Sequence, residues 1–139
     1  MMPPMNLYAE NILDHSKNPR GQGRLSEVTV EHREDNPACG DELTLRLSIQ
    51  EGKVAGLDWS GSGCAISQAA MSMLSEELTK KSADELLALS PKYIYDLLGV
   101  PIGPRRFKCA LLCLHTLKNA LRKNSGLPAQ SWVETIGQE

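Results

Sequence analysis

Aromatic side chains are scarce: two Trp, three Tyr and one Phe among 139 residues, too few for a platform on which nucleic-acid bases could stack. An excess of one charge is missing too. Fifteen Lys and Arg stand against seventeen Asp and Glu, a net charge of −2, so the surplus of basic groups that neutralises phosphates is absent and no nucleic-acid partner is expected. Long hydrophobic runs are also lacking. The longest all-apolar stretch, Cys109 to Leu114, falls far short of the roughly twenty residues that span a bilayer. The start, Met1-Met2-Pro3-Pro4-Met5, has neither a basic patch nor an apolar run, so no signal peptide is expected. No C-x-x-C pair and no Ser-His-Asp spacing occurs, and Gly61-Ser62-Gly63 lacks the remainder of either nucleotide-binding loop pattern. What remains, with 41% hydrophobic and 23% charged residues, reads as a globular cytoplasmic chain without a membrane partner, one domain over residues 1–139.

Periodicity divides that chain in two. Leu7 to Ser16 reads as a short helix ended by Asn18-Pro19. Val28 and Val30 alternate with polar neighbours, and Leu43, Leu45, Leu47 and Ile49 alternate with Thr44, Arg46, Ser48 and Gln50, the period of a half-buried strand. Glu51-Gly52 closes a hairpin, and Ala55, Leu57 and Trp59 continue the alternation on the returning strand. Past Gly61-Ser62-Gly63-Cys64 the period becomes helical, with Ile66, Ala69, Ala70, Met73, Leu74 and Leu78 on one stripe. Ser82 with Glu85 reads as a capping box, and Ser90-Pro91 as the start of another helix. Gly99 to Pro104 is a loop. A second helical stripe follows Cys109 through Leu112, Cys113, Leu117, Ala120 and Leu121, and residues 125–139 are polar and expected to be a loosely held tail. The expected fold is α+β: a small three-stranded antiparallel sheet packed against helices.

Four cysteines in a cytoplasmic chain favour metal or catalytic use over disulfides. Cys39 lies in the turn before the strongest strand, and Cys64 and Cys109 each stand at the start of a helical stripe, where unpaired N–H groups and the helix dipole favour a thiolate. Cys113 falls within the second stripe and reads as core. Asp41, two residues from Cys39, is either a turn-capping aspartate or an oxygen ligand completing a Cys₃Asp site suited to zinc or an exposed iron–sulfur cluster. His15, His32 and His115 are each expected at the surface, without a metal.

Four stretches make the chain similar to a known family: Ile12-Leu13-Asp14-His15 through Asn18-Pro19-Arg20; Asn36-Pro37-Ala38-Cys39-Gly40-Asp41; Gly61-Ser62-Gly63-Cys64-Ala65-Ile66-Ser67; and Arg106-Phe107-Lys108-Cys109-Ala110. It resembles the IscU/SufU/NifU-N-terminal family of iron–sulfur cluster assembly proteins. Lys108 stands where IscU-type members have histidine, and Cys64 is followed directly by Ala65-Ile66-Ser67, as in the SufU-like branch. The extra segment that SufU proteins usually carry before the last cysteine is absent.

The resemblance implies an α+β fold of the SufE/NifU type. It also implies a metal-ligand set of Cys39, Asp41, Cys64 and Cys109, with the three cysteines as candidate sulfur acceptors. The implied role is a scaffold, not an enzyme. It would take sulfur from a cysteine desulfurase and iron from an iron donor, and pass a transient cluster, of the 2Fe–2S type, to recipient apo-proteins or carriers. The alternative is a zinc-dependent sulfurtransferase accepting persulfide sulfur from a SufS-type desulfurase, with zinc in the resting protein. A purely structural zinc domain fits less well, because such a site favours four sulfur or imidazole ligands.

Overall fold

The structure, a computed structural model, describes residues 5–23, 25–36, 40–104 and 106–137. Its sheet is built from β1 (Val30–Asn36), β2 (Asp41–Gln50) and β3 (Lys53–Ser62), antiparallel and in the order β1-β2-β3. Leu43, Leu45 and Leu47 are buried on one face of β2. Opposite them on β3 stand Gly61, Trp59 and Leu57, and on β1 Glu34, His32 and Val30. The hairpin turns at Glu51-Gly52, where φ is 54° and 76°, the left-handed pair that matches the twist of a two-residue turn.

Two strand expectations change. Val28 lies outside β1 and is exposed, while the strand runs on to Asn36 and turns His32 and Glu34 inward. His32 pairs with Glu34, and Glu34 accepts from Asn119 on a helix, so no apolar alternation marks the strand. On β3 it is Val54, not Ala55, that is buried with Trp59. Ile49 pairs with Val54 and Ser48 with Gly56, which leaves Ala55 as the extra residue of a bulge. One inserted residue reverses the side-chain parity.

The helices are α1 (Met5–Lys17), α2 (Ala65–Leu78), α3 (Ala83–Leu87), α4 (Pro91–Leu98), α5 (Phe107–Asn124) and α6 (Trp132–Ile136). Ser82 and Glu85 form the expected capping box of α3, and Pro91 opens α4 in its first turn. At the end of α4, Gly99 adopts φ 70° and its N–H donates to Tyr95 O, the left-handed stop that glycine takes without strain. The Asn18-Pro19-Arg20 segment fastens α1 to α2 and to β3. The Arg20 N–H donates to Ser72 Oγ at 2.8 Å, and Trp59 Nε1–H donates to Arg20 O at 2.6 Å.

α5 sits at the centre, against β1, β2, α2, α3, α4 and α6. Every residue from Cys109 to Leu121 is buried, so that stretch of the helix has no solvent face and its single apolar stripe understates its burial. The polar residues off that stripe are buried because they have partners. Thr116 Oγ1–H donates to Leu112 O, and Asn119 Nδ2–H donates to Glu34 Oε2 and to Gln130 O. His115 hydrogen-bonds Thr135 Oγ1 at 2.6 Å and stacks on Trp132 with ring centroids 4.1 Å apart. His15 is buried as well, 2.7 Å from Ser72 Oγ. The expectation of surface histidines therefore fails at both positions, because each imidazole ties one helix to another. The same network holds residues expected to be loose. The Gln130 N–H donates to Asn119 Oδ1 at 2.7 Å, and Ser131 with Glu134 caps α6.

Candidate metal centre

Three connections meet at one end of the sheet. Asn36 and Asp41 form the last rung between β1 and β2, and Gly40, at φ 75°, donates its N–H to Asn36 O at 2.8 Å. The turn thus closed contains Cys39, which lies outside the described residues. Cys64 follows β3 and is the N-cap of α2; its side chain makes no capping hydrogen bond, and its S–H makes only a long contact of 4.0 Å to Ser67 Oγ. Cys109 is the third residue of α5 and only 2% exposed.

The ligand atoms of Asp41, Cys64 and Cys109 all lie within 4.8 Å of one another. Thiolates at usual zinc bond lengths of about 2.3 Å stand roughly 3.8 Å apart around a tetrahedral ion, so a small inward movement would close the set on one metal. Asp41 is held by one oxygen: the Cys64 N–H donates to its Oδ1 at 3.3 Å. The other, Oδ2, is buried without a hydrogen-bond partner among the described residues. An unsatisfied buried acceptor costs about 1–3 kcal/mol, and more when charged, and a cation would remove that penalty. With soft thiolates beside a hard carboxylate, the donor set fits zinc or iron.

Local backbone explains the glycines before Cys64. A Cβ on Gly63 would stand 2.7 Å from Asp41 Oδ1 and 2.5 Å from Ser67 Oγ. What approaches this glycine closely is thus the candidate ligand itself. Ser67 Oγ–H donates to Cys64 O at 3.0 Å, which braces the first turn of α2. The positive ends of α2 and α5 both face the sulfurs, where thiolate charge would gather.

Other candidates stand apart. Cys113 is fully buried one turn further along α5, its S–H donating to Ala110 O, and burial pushes its thiol up to about 12. Such a thiol is inert, as its core position predicts. His32 pairs with Glu34, and Lys108 lies with Nζ 5.8 Å from the Trp132 ring centroid. Asn36 is the residue that sequence reasoning passed over. It is 1% exposed, with Nδ2 3.9 Å from Cys109 Sγ, a proximity that shows only once the β1–β2 register and the start of α5 are in place.

A small α+β fold with a carboxylate and two thiols gathered at one sheet end and two helix starts defines a class of candidate metal- or sulfur-handling proteins. The family model described as NifU-like N terminal domain matches residues 7–130, and the chain belongs to that family. It is 32% identical over 135 residues to the iron–sulfur cluster assembly scaffold protein IscU of Thermotoga maritima, covering 86% of this chain and 95% of the relative. To the zinc-dependent sulfurtransferase SufU of Bacillus subtilis it is also 32% identical, over 137 residues covering 86% and 92%. A solved structure titled as a putative iron–sulfur cluster assembly scaffold protein for the SUF system, from Fervidobacterium islandicum, superposes with a TM-score of 0.72. Its identity is 27%, with 85% of this chain and 99% of that one covered. Among the described residues, no helix is long and apolar enough to cross a membrane.

Proposed function

We propose that the protein is an iron–sulfur cluster assembly scaffold whose cargo is held by Cys39, Asp41, Cys64 and Cys109. The observation that carries this reading is the convergence of Asp41, Cys64 and Cys109 together with the partnerless Oδ2 of Asp41. The site supplies three thiolates by sequence and one carboxylate, and the carboxylate is the harder, more weakly held ligand for iron in such a cluster. An assembled cluster then has one corner from which exchange can begin. Sulfur reaches the site when one of the three thiolates attacks the outer sulfur of a desulfurase persulfide. The old S–S bond breaks, a new one forms, and the desulfurase thiolate leaves. Iron comes from a donor, and recipient apo-proteins or carriers take the product. A reducing cytoplasmic compartment keeps such thiols available.

The likeness to the Bacillus subtilis sulfurtransferase, at the same 32% identity, favours a second reading, in which zinc is resident and the sulfur is passed onward without a cluster. Zinc would there hold the thiols deprotonated at neutral pH. Anaerobic purification followed by metal analysis and visible absorbance separates the two. The scaffold reading expects a protein that builds a chromophoric cluster from iron, cysteine, a desulfurase and a thiol reductant, which supplies the two electrons that take each persulfide sulfur to sulfide. Stoichiometric, tightly held zinc with no cluster under those conditions overturns it in favour of sulfur transfer.

A further inference from the structure

We infer that Asn36 is a positioning residue for Cys109, its side-chain amide donating to the sulfur and fixing how that sulfur is presented to the shared centre; the inference rests on the proposed role of Cys109. Asn36 ends β1 as the cross-strand partner of Asp41, and its carbonyl closes the turn at Gly40. Its side chain is almost fully buried, with Nδ2 3.9 Å from Cys109 Sγ, within reach for a hydrogen bond to sulfur. Among the described residues the amide oxygen has no hydrogen-bond partner. Packing alone does not account for such a residue. An apolar side chain of similar size would fill the space without burying an unpaired acceptor. What an amide offers, and an apolar group does not, is the N–H directed at the thiol.

That donor has two chemical consequences. It favours one rotamer of Cys109, and it draws electron density from the sulfur, which makes a bound thiolate a weaker donor to metal. One rung of the sheet therefore sets two ligands, Asp41 through the backbone and Cys109 through the Asn36 side chain.

Cobalt(II) bound to the full-length protein is the probe, because a thiolate-to-cobalt charge-transfer band reports the electron density on sulfur. In Asn36→Leu the band should move to longer wavelength at unchanged cobalt stoichiometry, while the metal-free chain melts at the parent temperature or above it. Asn36→Ala, which leaves a small space but folds by the same contacts, should shift the band in the same direction. A band coinciding with the parent's in both variants overturns the inference, as does a lowered melting temperature with an unshifted band, the signature of a merely structural amide. A parent protein with no charge-transfer band at all overturns the thiolate centre itself, and the inference with it.

Discussion

The two oxygens of Asp41 have different fates, one accepting the Cys64 N–H and the other buried with no donor among the described residues. Removing the carboxylate therefore removes a buried acceptor that the apo-protein does not satisfy. Asp41→Ala should change the stability of the metal-free chain by no more than about 1 kcal/mol. Its effect should fall on the cargo instead. On the proposed scaffold reading, a cluster built on the remaining thiolates should outlive the parent's, since exchange would begin at the oxygen ligand; faster decay, followed by absorbance, would reject that account of lability. Zinc affinity, by chelator competition, should fall. Cys113 makes the opposite case. With its thiol pushed up to about 12 by burial, Cys113→Ser should leave metal stoichiometry untouched and cost about 1–3 kcal/mol for placing a hydroxyl in an apolar site. Loss of metal from a normally folded variant would return Cys113 to the ligand set.

At the scale of elements, two buried histidines act as rivets: His15 joins α1 to α2, and His115 joins α5 to the segment around α6. Burial holds His15 below its ordinary 6.5, with Arg20 adding to the effect and Glu76 opposing it. Burial likewise lowers His115, with Glu34 opposing and His32 adding. A lowered pKa in the folded state means that the unfolded chain binds the extra protons. Stability is thus fully present above about pH 6.5 and declines as the pH falls from there toward the folded-state values. Denaturant midpoints at about pH 7.5 and about pH 5.5 should show that loss, and His115→Gln should flatten it; an unchanged slope would remove His115 from the account. The elements also show what a sequence reveals. β2 and α2 were legible because each presents one apolar face to the core. β1 was not, since Glu34 turns inward to meet Asn119 and His115, and His32 pairs with Glu34. The bulge at Ala55 was invisible because it is a property of pairing. Of the site, Cys64 and Cys109 could be placed by the change of period that follows each, whereas Asn36 became visible only through contacts between distant segments.

For the whole molecule, the proposed centre draws on β2, α2 and α5 and would bind an ion only when all three are assembled. At a hundred times its dissociation constant such an ion adds about 2.7 kcal/mol of stability. The melting temperature should rise with added zinc and fall with a chelator. The thiols must lose protons to bind, so the increment should shrink as the pH drops; calorimetry showing the same midpoint with and without zinc would contradict a shared centre. The burial of α5 on all sides also has a consequence in time. On the ribosome the leucines of β2 are made long before the helix that covers them. At about 5–20 residues per second, the interval between the end of β3 and the end of α5 is roughly 3–12 s. Throughout it the nascent sheet shows its apolar face to chaperones and to other chains. Asp41 and Cys64 wait through most of the same interval for Cys109, so the proposed centre can be completed only once the start of α5 has been made.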